Sequence, residues 1–374
     1  MDAKTNTTHT IPWWALSLGE REKELVCQVI ESNFPNEGDY TARLEQSIAE
    51  ICQVPYAIAT TSGTSAIFLA LAACGVGPGD QVIVPDITFI ATANAVKLTG
   101  ATPVLVDISA DSFNVNPEQV ETAITPRTKA VVPVHVSGRA ANMPALMEIA
   151  RHHNLCVVED AAEALGSHLN GRPLGSFGNA GCFSFSPNKT ITTGQGGMVV
   201  TSDVNLYRRL KELKDHGRPT RGTGGDDVHH SLGYNFKLTN IQAAIGLAQL
   251  EKFPARQEHL RQIYRIYRDQ LADVPGVRLP RFNLEGGECP QWVDASVEHR
   301  DRLYDYLLAN NVHTRKFWFP IHTQAPYRMS DDGFSNSIAV SRRGIWLSSA
   351  LSLTEEDVYQ VCGMIKKWSR QNEA

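Results

Sequence analysis

Lys189 lies in the run Phe183-Ser-Phe-Ser-Pro-Asn-Lys189-Thr-Ile-Thr-Thr-Gly194-Gln-Gly-Gly197, between a stretch of buried-strand character and a Gly-rich turn. A lysine so placed is a candidate Schiff-base former, because an amine withdrawn from water gives up its proton more readily and can then attack an aldehyde. Taken alone, such a residue reads more plainly as a solvated loop lysine. Other stretches argue against that. In Glu159-Asp160-Ala-Ala-Glu163-Ala-Leu-Gly166 an acidic residue ends a strand, the edge at which open α/β sheets bind ligands. Asp160 is there either the cap of a helix or the partner of a protonated pyridine nitrogen, the pairing that lets pyridoxal phosphate (PLP) draw electrons from a carbanion. Thr61-Ser62-Gly63-Thr64-Ser65 joins a strand to a helix, so free N–H groups at the helix start can cradle a phosphate. Ser184 can offer its hydroxyl to the same phosphate. Phe89 is either plain core or the cover for one face of a ring.

These groups need a scaffold that brings them to one edge. Short β-branched runs alternate with helical stretches: Tyr56 to Thr60 then Thr64 to Cys74, Gln81 to Pro85 then Thr88 to Thr99, Pro103 to Asp107, and Ala130 to His135 then Met143 to His153. The rhythm predicts βαβ units on a mostly parallel sheet, and strands apolar on both faces predict helices on both sides. Val157 to Asp160, Gly181 to Phe185 and Gly197 to Thr201 read as further strands, the last two joined by the loop that holds Lys189. Ile241, Ala244, Ile245, Ala248 and Leu250 form a helical stripe that Pro254 ends or kinks. The reading therefore divides the chain into a large cofactor-binding domain, 1-250, and a small C-terminal α+β domain, 251-374. Arg300 to Asn310 and Glu355 to Lys367 are its amphipathic helices.

Composition narrows the choice of partners. The 374 residues carry 35 Lys+Arg against 40 Asp+Glu, a formal net charge of -5, which leaves no basic field for nucleic acid or an anionic membrane surface. Seven scattered cysteines with no C-x-x-C pair indicate reduced thiols rather than a disulfide framework or a zinc knuckle. The adjacent pairs His152-His153 and His229-His230 do not converge on a metal, so none is expected. The polar stretch Met1 to Thr10 lacks a leader pattern, and the longest apolar run, Ala66 to Cys74, is far short of the ~20 residues of a membrane span. A cytoplasmic location is expected.

The chain resembles the DegT/DnrJ/EryC1/StrS sugar aminotransferases, fold-type I PLP enzymes, from about Leu18 to Trp368. The resemblance rests on the stretches above and on Gly38-Asp-Tyr-Thr-Ala-Arg-Leu-Glu45, Pro78 to Pro85, Gly100 to Asp107, Thr125 to Ala130, Pro133-Val-His135, Gly233-Tyr-Asn235, Asn240 to Leu250 and Pro320-Ile-His322. By position it implies that Lys189 holds PLP as an imine and that Asp160 contacts the ring nitrogen. It also implies that Glu163 lies near the 3-hydroxyl, that Ser184 with Gly63 and Thr64 holds the phosphate, and that Phe89 stacks. Asn235 is expected to reach the cofactor phosphate of a neighbouring subunit, which requires a homodimer. The activity implied is amino transfer from an amino acid, glutamate, to a nucleotide-linked keto sugar, at C4 of a 4-keto-6-deoxy sugar. Polysaccharide O-antigen and antibiotic deoxysugars are both destinations consistent with it. His216, Arg218, Arg315 and His322 are candidate contacts for the sugar or its diphosphate, or else surface and domain-interface residues. Two rivals share the fold: a dehydratase branch, which carries His where this chain has Lys189, and a non-catalytic regulatory relative. Gln195 and Ser137 depart from the family pattern, which usually has Glu and a bulkier residue there.

Overall fold

The computed structural model describes residues 9–218 and 228–372. Most of the N-terminal stretch read as leaderless, residues 1–8, lies outside them. Seven strands form the large sheet: β1 (Tyr56–Thr60), β2 (Gln81–Pro85), β3 (Thr102–Val106), β4 (Thr128–Val131), β5 (Cys156–Asp160), β8 (Ala180–Ser184) and β9 (Gly197–Thr201). The small hairpin β6 (His168–Leu169) and β7 (Arg172–Pro173) lies between β5 and β8 in the chain. The strand order is β1-β9-β8-β5-β4-β2-β3. The pairings from β3 through β8 are parallel, whereas β9 runs antiparallel to both β8 and β1.

That single reversal decides where the chemistry collects. Because β1 and β8 are each antiparallel to β9, they point the same way, and β8 points the same way as β5. The carboxyl ends of β1, β2, β5 and β8 therefore share one edge, and the β8–β9 loop with Lys189 turns there. This is the edge at which open α/β sheets bind ligands.

Helices cover both faces. α3 (Gly63–Ala73), α4 (Ala91–Leu98) and α7 (Val204–Lys214) bury one face around Ile67, Leu69, Val84 and Val199. α1 (Glu20–Glu31), α2 (Asp39–Ile51) and α8 (Asn240–Glu251) bury the other around Leu44, Ile48, Phe183 and Leu247, with α6 (Met143–His153) beside them and α5 (Pro117–Thr122) packed on α6. α3 is apolar all round and eight of its eleven residues are buried, as a helix between a sheet and its neighbours requires.

The second core is built on an antiparallel sheet, β10-β11-β13-β12 (Val277–Arg278, Val293–Val297, Gly344–Leu347, Arg315–Lys316). α9 (Phe253–Leu271), α10 (Arg300–Ala309) and α12 (Glu355–Asn372) pack with it, and α11 (Ser335–Arg343) leads into β13. The helix of the 241–250 stripe ends just ahead of Pro254: α8 stops at Glu251, and Pro254 sits in the first turn of α9, where a missing N–H costs nothing. Ile11, from the far end of the sequence, is buried in this second core and bridges Val312.

Other differences from the sequence reading are local. β4 ends at Val131 rather than His135, since Pro133 cannot donate to the ladder. α4 starts at Ala91 rather than Thr88, which leaves Phe89 in the turn ahead of it. All seven cysteines are free, and four of them are buried. Among the described residues no helix is long and apolar enough to cross a membrane.

Candidate active site

The shared edge encloses a cavity of about 300 Å³ lined by Gly63, Thr64, Phe89, Asp160, Glu163, Ser184 and Lys189. Four separated stretches of sequence singled out for chemistry thus meet in one space. Ser62 caps α3, accepting from Ser65 N at 3.1 Å, while the Ser65 hydroxyl accepts from Ser62 N at 2.9 Å. This capping box satisfies the third N–H of the helix and leaves those of Gly63 and Thr64, the first two and both in the cavity lining, without a helical acceptor. Gly63 is required by contact: a Cβ added there would stand 2.9 Å from Ser184 Cβ. Ser184 Oγ lies beside this helix start, 3.0 Å from Ser186 Oγ. Two N–H groups, a helix dipole and two hydroxyls make an anion cradle.

Asp160 is 5% exposed, and among the described residues no cation forms a salt bridge with it. Its Oδ2 accepts from Thr92 Oγ1 at 2.7 Å and its Oδ1 from Ala162 N at 3.1 Å. Burial pushes this carboxyl up from its ordinary range, against the Thr92 and Ala162 hydrogen bonds and the field of Lys189, which favour the anion. Phe89 is 56% exposed, so it is not core, and its ring borders the cavity.

Lys189 Nζ donates to Glu163 Oε1 at 3.2 Å, with both side chains largely buried. Glu163 is held from behind: Trp292 Nε1 donates to its Oε1 at 3.1 Å and Ser137 N to its Oε2 at 2.9 Å. Beneath, fully buried Glu159 accepts from Gly175 N, Gly178 N and His135 Nε2. Ala141 N donates to His135 Nδ1, so the imidazole proton sits on Nε2 and faces Glu159. These contacts fix the end of β5 just before Asp160.

One wall was not anticipated. Trp13, Trp292, Trp318 and Trp346 line the cavity together with Arg315. Trp13 stacks on Trp292 at 4.8 Å, and the Arg315 guanidinium lies over Trp13 at 5.0 Å and over Trp346 at 5.4 Å. Trp346 Nε1 donates to Ser137 Oγ at 3.2 Å. The only advance signal was the doublet Trp13-Trp14 close to a proline.

A family model describing the DegT/DnrJ/EryC1/StrS aminotransferase family matches residues 16–366. The chain belongs to that family. It is a fold-type I aminotransferase with PLP as cofactor. The chain is 38% identical over 366 residues to the GDP-perosamine synthase of Escherichia coli O157:H7, covering 96% of this chain and 98% of that one. Its fold is similar to DesV of S. venezuelae, solved in complex with a ketimine intermediate, with a TM-score of 0.91 and 32% identity over 97% of this chain and 99% of that one. A Streptococcus pneumoniae protein solved in its PLP form gives 0.91 and 26%, over 97% of this chain and 99% of that one.

For an aminotransferase of this family, three expected contacts stand elsewhere. His322 is fully buried and does not reach the cavity. Its Nδ1 meets Asp86 Oδ2 at 2.6 Å and its Nε2 meets Asp331 Oδ1 at 3.3 Å, so no ring nitrogen is left for a substrate. His216 is exposed, outside the lining, in a left-handed turn with φ of 58°. Arg218 likewise lies outside and chelates Asp215 with two 2.8 Å bonds. Asn235 is exposed and does not line its own chain's cavity.

Proposed function

We propose that the chain transfers an amino group from L-glutamate to C4 of a GDP-linked 4-keto-6-deoxy sugar, as a perosamine-type synthase supplying polysaccharide biosynthesis in the cytoplasm. The observation that carries this reading is the meeting of the Lys189 amine, the buried Asp160 carboxylate and the α3 anion cradle in one cavity, in a chain 38% identical along almost its whole length to a GDP-perosamine synthase. Seven free cysteines suit a reducing compartment.

The residues present fit PLP. When bound, it supplies an electron sink that stabilises a carbanion at the amine-bearing carbon. Gly63 and Thr64 N–H groups with Ser184 Oγ hold the phosphate, Phe89 covers the ring, and Asp160 pairs with the protonated ring nitrogen. Lys189 carries the proton to and from the reacting carbon, a role for an amine that shares its hydrogen bond with one carboxylate and is otherwise free. Glu163, braced by Trp292 and Ser137, holds that amine at the cavity and would serve the 3-hydroxyl side of the bound ring. The tryptophan wall excludes water, and Arg315, which has no carboxylate partner among the described residues, takes the anionic part of a substrate.

The complete site requires a homodimer, with Asn235 reaching the partner's cofactor phosphate. Exposed Val228, Leu232 and Tyr234 flank Asn235, an apolar rim that suits burial against a second copy. Purified protein with PLP, glutamate and a panel of nucleotide-linked keto sugars should give an amino sugar with the GDP-linked substrate and 2-oxoglutarate as co-product, read by mass. Lys189→Ala should bind PLP without the covalent link and lose turnover entirely. Turnover by that variant, or amination of none of the panel by the parent, would end the assignment.

A further inference from the structure

We propose that Thr92 is a positioning residue for Asp160: its hydroxyl, itself fixed by Thr88, locks the carboxylate in the orientation that meets the cofactor ring nitrogen. The proposal rests on the reading of this cavity as a PLP site. Asp160 ends β5, and nothing in its own strand sets its side-chain torsions. Ala162 N fixes Oδ1 at 3.1 Å, and Thr92 Oγ1 fixes Oδ2 at the shorter distance of 2.7 Å. Thr92 is fully buried, in the first turn of α4. With both oxygens held, the carboxylate plane cannot rotate, and the lone pairs left over face the cavity.

Proton counting gives the contact a direction. Thr92 Oγ1 lies within reach of three acceptors: Asp160 Oδ2, Thr88 Oγ1 at 3.2 Å and Phe89 O at 3.3 Å. A hydroxyl has one proton, and the anionic, nearest acceptor takes it. Thr88 must then donate to Thr92, so the protons run Thr88 to Thr92 to Asp160, and each bond polarises the next. The same segment carries Phe89. The turn before α4 therefore sets both the ring-face contact and the ring-nitrogen contact, in register with each other. A threonine serves better than a serine because its branched side chain restricts the torsion that aims the hydroxyl.

Thr92→Val keeps the shape and removes the donor. PLP should bind roughly ten- to a hundredfold more weakly, the scale of one hydrogen bond to a buried charge. The absorbance band of the Lys189-linked cofactor should titrate at a displaced pH, and kcat should fall more than KM for glutamate rises. Thr92→Ser should restore most of both the affinity and the titration, which a role in packing alone would not predict. Cofactor affinity and band titration identical to the parent in Thr92→Val, or Thr92→Ser as impaired as Thr92→Val, would overturn the proposal. Should the valine variant not fold, the comparison of Thr92→Ala with Thr92→Ser carries the same test. A parent protein that forms no such band would instead refute the PLP reading itself.

Discussion

At the scale of single residues the site is a set of separate solutions to burial. Asp160 is held by hydrogen bonds from Thr92 and Ala162, Glu163 is paired with Lys189, and Glu159 is satisfied by three donors. These three acids lie within five residues of one another, yet only their surroundings separate a scaffold group from a cofactor group. Gly63 shows how tightly the cradle is drawn. Gly63→Ala places a methyl group 2.9 Å from Ser184 Cβ, so the helix start must lift from the phosphate position. That shift costs packing at a buried contact, so the cofactor-free protein should melt below the parent, and PLP affinity should drop about tenfold, one hydrogen bond's worth. Equilibrium dialysis and thermal melts of both forms check this, and unchanged affinity would mean that the cradle does not hold the phosphate.

At the scale of elements, strands and helices were legible where burial is uniform. β1, β2 and β9 stand where their apolar runs lie, and α3 and α8 start at their caps, because those patterns have one solution. The antiparallel direction of β9 was not legible, since Gly197 to Thr201 is apolar on both faces and direction leaves no trace in such a run. His322 misled for a related reason. The motif Pro320-Ile-His322 offered it as a sugar contact or an interface residue, and only three dimensions reveal Asp86 bonded to it. The tryptophan wall draws on four distant segments, of which only the doublet Trp13-Trp14 leaves a local mark in the sequence. The α1–α8 contact gives an element-scale test. Glu22, 3% exposed, accepts from Gln249 at 2.6 Å and Lys252 at 3.0 Å. Burial alone would push this carboxyl up, but the hydrogen bonds from Lys252, its own backbone, Gln249 and Gly19 outweigh it and hold it below its ordinary value. A carboxyl lowered by folding stabilises fully above its unfolded value, and the contribution disappears as pH falls through the folded one. Glu22→Gln should thus cost about 1–3 kcal/mol at neutral pH. The gap in Tm between parent and variant should close on acidification, as the parent's own carboxyl gains a proton; a gap that widens in acid would contradict the assignment.

At the scale of the molecule, the two cores are tied by chain that leaves one and returns to the other. Ile11 anchors in the small-domain core, and two residues later Trp13 stacks on the indole that braces Glu163. The site therefore needs both cores, and the proposed dimer extends that dependence to a second chain, because Asn235 lies outside the cavity of its own subunit. If each site combines Lys189 from one chain with Asn235 from the other, two variants that are defective alone should complement. Lys189→Ala has no amine in its own cavity but offers a sound Asn235 to its partner. Asn235→Ala keeps the amine and lacks the outside contact. A mixed dimer then contains one site with both residues intact and one with neither. Random exchange of subunits makes about half of the dimers mixed, so mixing equal amounts should restore about a quarter of parental activity. The measurement is turnover before and after exchange through mild denaturation, with size-exclusion chromatography confirming dimers. Activity no greater than the average of the two variants would show that each chain holds its phosphate unaided.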